Sequence, residues 1–231
     1  MSPTIDVIIP AYNEADAIGR VLAELPPVVR EVVVVDNGSS DQTGQVAQYA
    51  GATVLTESRK GYGYACLKGI DYLKQKKDPP EILVFLDGDY SDYPGELVQL
   101  VKPLLEGEKD FVVGARVAQF REKGALTPQQ IFGNALAAFL MKRLYGSHFT
   151  DLGPFRAIRW KTLLALQMKD TTYGWTVEMQ LKVLRKKIPY QEVPVHYKNR
   201  IGQSKVSGTV KGTILAGVKI IGWIVKFYFS K

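Results

Sequence analysis

The chain has 231 residues, 46% hydrophobic and 23% charged, which suits one large folded domain or a domain with an appendage and excludes a disordered or collagen-like polymer. Cys66 is the lone cysteine, ruling out an internal disulfide and a cysteine-based zinc cage and fitting a reducing compartment. The net charge of +7 is unevenly spread: from Lys182 onward eleven Lys or Arg meet one acid, Glu192, whereas residues 1–181 carry 19 bases and 22 acids. An anionic partner is therefore to be sought at the C-terminal fifth.

No secretory signal is read at the N-terminus, because Met1–Asp6 lacks a basic region and Val7–Pro10 is too short. Short β-branched runs then predict strands at Ile5–Ile9, Glu31–Val35, Ala52–Leu55, Ile82–Leu86 and Phe111–Val113. Helices are expected between them at Glu14–Leu25, Asp41–Tyr49, Tyr64–Lys76 and Pro94–Glu106. A run as apolar as Val32-Val33-Val34-Val35 suits a strand covered on both faces. The alternation therefore implies a mostly parallel α/β sheet with helices on both faces. Beyond Val117 a loop is read at Gln119–Thr127, and helices at Pro128–Tyr145, Trp160–Met168 and Trp175–Lys187. Ile188–Val195 reads as an edge strand because of its prolines. Gly212–Phe229 is apolar except for Lys219 and Lys226, and Lys211, Lys219 and Lys226 fall on one helical arc. Two lysines argue against a spanning helix and suit either a helix lying in a membrane interface or one docked on the domain. The expected division is a domain at 1–210 followed by an amphipathic helix at 211–231.

Open sheets of this kind bind ligands at the carboxyl ends of their strands, which directs attention to three segments. In Leu83-Val84-Phe85-Leu86-Asp87-Gly88-Asp89 a buried strand runs directly into acids. Glycine lets the chain turn there, and two clustered carboxylates suit a hard cation such as Mg²⁺ or Mn²⁺. Val35-Asp36-Asn37-Gly38-Ser39-Ser40-Asp41 repeats the strand-then-acid arrangement, with Asp41 or Ser40 suited to cap a helix. Pro10-Ala11-Tyr12-Asn13-Glu14 ends a third strand with an aromatic that could stack on a base and a carboxylate that could bind a ribose.

Together, in this order and spacing, the three segments resemble the family 2 glycosyltransferases with the GT-A fold. The resemblance implies a metal-dependent enzyme that takes a nucleoside-diphosphate sugar as donor. Carried over residue by residue, Pro10, Tyr12, Glu14 and Asp36 become nucleotide contacts. Asp87 and Gly88 lie near the nucleotide, and Asp87 and Asp89 supply the metal pair. Arg59-Lys60-Gly61-Tyr62-Gly63 is similar to the family's basic glycine-rich loop, which adds Lys60 and Gly61 to the donor contacts. Val113-Gly114-Ala115-Arg116 is similar to the segment supplying an active-site arginine. Asp151–Arg156 and Arg200–Lys205 resemble the dolichyl-phosphate mannosyltransferase-like branch, so the resemblance spans roughly residues 4–210.

In such a transferase the leaving group is a phosphate anion, and Arg116 and Lys205 are the candidate cations beside Asp89. A phosphate-monoester acceptor is already an oxyanion at neutral pH, whereas a hydroxyl acceptor requires a general base. Asp151 and Glu178 are the candidate bases, and Tyr173 and Trp175 an aromatic pair suited to an acceptor pocket. Arg200 and the basic tail favour a lipid phosphate at an anionic membrane surface, and hence a peripheral location on its cytoplasmic face. His196 could join the metal or be merely hydrogen-bonded, and Ser91 and Asp92 are candidate third ligands. Nucleic-acid binding and nucleotidyl transfer are disfavoured, the first because it leaves the strand-end acids without a role, the second because Pro10–Glu14 is not a basic glycine-rich loop. The Gln-x-x-Arg-Trp signature of processive synthases is absent, so transfer of a single sugar is expected, and the family resemblance implies that the transfer inverts.

Overall fold

The computed structural model describes residues 3–202 and 210–229, with side chains in the last segment described from residue 217. Lys205 therefore lies outside the described residues. The first half alternates as expected: β1 (Ile5–Ala11), α1 (Ala15–Ala23), β2 (Val29–Asp36), α2 (Thr43–Tyr49), β3 (Thr53–Thr56), α3 (Tyr62–Lys74), β4 (Ile82–Phe85), α4 (Leu97–Leu105) and β5 (Phe111–Ala115). The second half continues with α5 (Pro128–Tyr145), β6 (Arg156–Arg159), α6 (Trp160–Leu166), α7 (Trp175–Arg185), β7 (Tyr190–Pro194) and α8 (Val210–Phe229).

Seven strands form one sheet in the order β3-β2-β1-β4-β6-β5-β7, with the proline-bearing β7 at an edge. All neighbours are parallel except β6, which runs antiparallel between β4 and β5. Alternate residues of each strand face opposite layers. Ile8, Val33, Val35, Leu83 and Phe85 pack on one side, and Val7, Ile9, Val34, Val84 and Leu86 on the other. Strand β6 was not anticipated. It is four residues long and begins and ends on arginine, so its sequence carries no apolar alternation. Arg156 is nonetheless fully buried and donates to the carbonyls of Gly153 and Thr176, which replace part of its lost hydration.

Helix α5 is closed at both ends by its own sequence. Thr127 and Gln130 form a capping box, Pro128 starts the first turn, and Gly146 takes the left-handed conformation that ends it. Helix α8 packs against α5 and α7, burying Ile224 and Phe227 in the larger core layer. Tyr145 donates to the Ile224 carbonyl at 2.6 Å. Lys219 turns inward to Asp170 instead of sharing an exposed arc with Lys226. The outward face of α8 carries Val218, Val225, Tyr228 and Phe229. Among the described residues no helix is long and apolar enough to cross a membrane.

Candidate active site

Strand β1 lies between β2 and β4, so the chain crosses to one side of β1 and later returns on the other. Loops diverge at such a switch point and leave a crevice at the carboxyl ends of the strands. A cavity of about 270 Å³ occupies it. Its wall contains Pro10, Tyr12, Glu14, Lys60, Gly61, Asp87, Gly88, Asp89 and Arg200, all of which the sequence had singled out. Asn37, Tyr62, Tyr173 and the small Ala11 and Ala65 complete it. Asn37 was hinted at by its motif position next to Asp36, and Tyr173 had been read as part of an acceptor-pocket pair. Tyr62 had its place in the Arg59–Gly63 motif, but α3 begins at Tyr62 and not at the expected Tyr64.

Loop chemistry sets this wall. Asn13 adopts φ +54°, a left-handed conformation that asparagine tolerates, and its Oδ1 accepts the Ser40 amide at 2.8 Å. The Glu14 amide donates to Thr43 Oγ1 at 2.8 Å, tying the β1 and β2 loops together. Asp36 does not line the cavity; its Oδ1 accepts the Ser39 amide at 2.8 Å and closes the turn. The next residue, Asn37, binds the carbonyls of Glu57 and Arg59 and accepts the Gly61 amide at 2.8 Å. That knot delivers Lys60, whose Nζ sits 3.8 Å from the Tyr12 ring centroid and donates to the Gly38 carbonyl at 2.7 Å.

The acids after β4 carry unbalanced charge. Asp87 Oδ1 is buried without a hydrogen-bond partner, and its pKa is pushed up to about 7 by burial first and by the Asp89 charge second. Asp92 is buried with both oxygens unpartnered, and burial, then Asp87 and Asp89, hold its pKa well above the carboxylate range. Asp89 Oδ1 accepts the Ser91 amide and hydroxyl, while Oδ2 lies 3.0 Å from Arg200 Nη1. The other arm of the same guanidinium donates to Glu14 Oε1 at 2.6 Å. Hard carboxylate oxygens two residues apart, one of them orphaned, fit a divalent cation such as Mg²⁺ or Mn²⁺. Among the described residues no three carboxylate or imidazole groups converge on one point. Such a cation would therefore take its remaining ligands from water or from substrate oxygens.

The other singled-out residues lie elsewhere. Arg116 is clamped by Asp151, with Nε at 2.7 Å and Nη2 at 2.7 Å. Burial alone would raise the Asp151 pKa; the Arg116 charge and hydrogen bonds offset that and hold it below the usual carboxylate range. Both residues line a second cavity of about 210 Å³ with Arg121, Ile131, Asn134 and Thr150. Glu178 is fully buried, accepts the Lys169 and Asp170 amides, and pairs with Lys182 at 2.7 Å. Trp175 packs edge-on against Phe85, 5.9 Å between centroids, inside the core. Of the aromatic pair, Tyr173 alone reaches the first cavity. His196 pairs with Glu96 and stacks on Phe120.

Residues 6–165 match the model of Glycosyl transferase family 2. The chain belongs to that family. An uncharacterised glycosyltransferase of Mycobacterium tuberculosis is 32% identical over 215 residues, covering 92% of this chain and 94% of that one. A dolichyl-phosphate hexose transferase of Haloferax volcanii is 32% identical over 216 residues, covering 90% and 89%. Among solved structures, glucosyl-3-phosphoglycerate synthase from Mycobacterium tuberculosis, in complex with Mn²⁺, uridine diphosphate and phosphoglyceric acid, superposes with a TM-score of 0.77. That match has 22% identity and covers 99% of this chain and 80% of that chain. The likeness is one of fold, and the fold of this family 2 chain is GT-A.

Proposed function

We propose that the chain transfers one sugar, with inversion, from a UDP- or GDP-sugar to a polyprenyl phosphate, using Mg²⁺ or Mn²⁺ at Asp87 and Asp89. The observation that carries this reading is the cavity at the sheet's switch point, where an orphaned, buried Asp87 oxygen and Asp89 meet the Tyr12–Glu14 loop. When bound, the cation supplies charge neutralisation for the departing diphosphate. Tyr12 offers a face to the base, and Glu14 and Asn37 offer polar contacts to the nucleoside. Lys60 and Arg200 are the chain's own cations in the cavity wall, and their role is to hold the diphosphate and stabilise its growing charge. Arg116 and Arg121, in the neighbouring cavity, are suited to hold the acceptor's phosphate beside the apolar Ile131.

The acceptor choice follows from proton chemistry. A phosphate-monoester oxygen attacks the anomeric carbon as that carbon's bond to the nucleoside diphosphate breaks, and no proton need be removed. A hydroxyl acceptor would need a base, yet Asp151 is bound to Arg116 and Glu178 to backbone amides and Lys182. The Haloferax relative, named for dolichyl phosphate, supports the lipid reading. A peripheral position on the cytoplasmic face of an anionic membrane is part of it. Supporting that, Phe132, Leu136 and Phe139 of α5 and Val225, Tyr228 and Phe229 of α8 are exposed, with Lys142, Arg143 and Lys226 among them. The test is to incubate the protein with labelled UDP- or GDP-sugars, Mn²⁺ and polyprenyl phosphate. Label should enter the organic phase. Label appearing only on a water-soluble hydroxyl acceptor overturns the lipid reading, and no transfer from any donor overturns the whole.

A further inference from the structure

The loop between α6 and α7 connects the C-terminal helix to the donor cavity: Asp170 binds α8, and Tyr173 lines the cavity. Asp170, in the middle of that loop, is buried and accepts from two different parts of the molecule, the loop itself and α8. Its Oδ1 takes the amides of Thr172 at 2.7 Å and Gly174 at 3.1 Å, folding the loop on itself. Its Oδ2 takes Trp223 Nε1 at 2.9 Å and Lys219 Nζ at 2.9 Å, both from α8. Glu178 fixes the same turn from α7 through the amides of Lys169 and Asp170.

The loop so held reaches the donor cavity by two routes. Tyr173, 42% exposed, forms part of the cavity wall. Thr171 accepts the Tyr64 amide at 3.1 Å, at the start of α3, directly after Lys60-Gly61. The fit there is close: a Cβ on Gly61 would lie 2.2 Å from the Thr171 carbonyl oxygen, and one on Gly63 2.1 Å from that of Asp170. Nothing of this depends on the reacting atoms, since Asp170 itself does not line the cavity.

We infer that Asp170 is a positioning residue for the donor cavity, and that α8, through Lys219 and Trp223, sets how firmly the Gly61–Tyr64 segment and Tyr173 are held against the donor. The inference rests on the proposed reading that this cavity takes a nucleotide sugar, but one arm of its test does not. A helix with an outward apolar face is thereby linked to the part of the site that holds the nucleotide. Its seating governs donor binding more than the chemical step.

Hydrogen exchange measures the link without any ligand. Trp223→Phe and Lys219→Met keep the apolar packing of α8 and remove one bond each to Asp170. They should speed exchange of the Tyr64 amide and of residues 171–174 while leaving β1 and β2 protected as in the unmodified chain. Asp170→Ala should do so more strongly, and Asp170→Asn, which retains acceptor capacity, should recover part of the protection. In transfer assays the same variants should raise the donor KM about tenfold with kcat within about twofold, the size expected for one charge-assisted hydrogen bond. Unchanged Tyr64 exchange in both α8 variants overturns the inference whatever the donor proves to be. So does a fall in kcat at unchanged donor KM.

Discussion

Arg200 Nη1 lies 3.0 Å from Asp89 Oδ2, and the same guanidinium reaches Glu14, a second acid of the cavity wall. A fixed cation thus rests on the carboxylate proposed to hold a divalent one. The two compete for one oxygen, and Arg200 has a second candidate partner once an anionic diphosphate arrives. Arg200→Gln is expected to tighten Mn²⁺ binding in the absence of donor by a few-fold, because that competition is gone. The same variant should slow transfer about a hundredfold, the order seen when one preorganised charge is removed from a transition state. Mn²⁺ titration by electron paramagnetic resonance, set beside single-turnover rates, reads both effects. Weaker Mn²⁺ binding in the variant would contradict the competition.

Asp87 makes stability depend on pH in a definite direction. Unfolded, its carboxyl ionises near pH 4; folded, burial and the Asp89 charge raise that to about 7. Between those values the folded state keeps a proton that the unfolded state has released. Stability therefore falls as pH rises through this window and is flat above it. Asp87→Asn should remove the Asp87 share of the dependence, leaving that of buried Asp92. The ligand-free variant should melt several degrees above the unmodified chain at pH 8, for about 2 kcal/mol, with the gap closing at pH 4. That figure is roughly half the full conversion of the shift, because the residue keeps some access to water. Melting curves from pH 4 to 9 decide it, and an equal gap at every pH contradicts the assignment.

Gly63 tests the packing of the donor loop. With a Cβ 2.1 Å from the Asp170 carbonyl oxygen, Gly63→Ala forces either α3 or the 170–174 loop to move. The expected cost is about 1–3 kcal/mol by urea unfolding. Gly133→Ala, on α5 with nothing near its Cβ position, should leave stability equal or slightly raised. Equal stabilities for the two variants would contradict the close approach.

Membrane association is expected to depend on α5 as much as on α8. Phe132 is 70% and Phe139 58% exposed, one on each side of Leu136 along the same helix. Phe132→Ser with Phe139→Ser should reduce cosedimentation with vesicles containing anionic lipid by about tenfold, and raised salt should do the same to the unmodified chain. Deleting α8 is a poorer probe, because Ile224 and Phe227 belong to the core. Recovery unaffected by both mutation and salt would remove the membrane from the account.

Much of the fold was legible because β1, β2 and β4 are covered on both faces and read as nearly unbroken apolar runs. The cavity residues were legible for a related reason: an acid ending such a run, as Asp87 does, has few structural uses. Asp36 satisfied the same pattern and turned out to hold its own turn, since a carboxylate three residues before an amide can close a loop without any ligand. Strand β6 was hidden because buried Arg156 and half-buried Arg159 look like surface charges in a sequence. Glu178 was attractive as a base for a similar reason. Its burial, and the amides of Lys169 and Asp170 that occupy it, follow from a loop geometry no local pattern encodes. Lys219 likewise belonged to an apparent cationic arc until its partner Asp170, 49 positions earlier, was located.

The carboxylates after β4 are proposed to bind a sugar nucleotide through a divalent ion. Isothermal titration of the full chain and of Asp89→Asn with a panel of UDP- and GDP-sugars, each with and without Mn²⁺, tests it most directly. At least one donor should bind saturably to the unmodified chain, with Mn²⁺ strengthening the binding, and a folded Asp89→Asn should lose that strengthening. Donor binding that is indifferent to Mn²⁺, or equally strengthened by Mn²⁺ in Asp89→Asn, would contradict it.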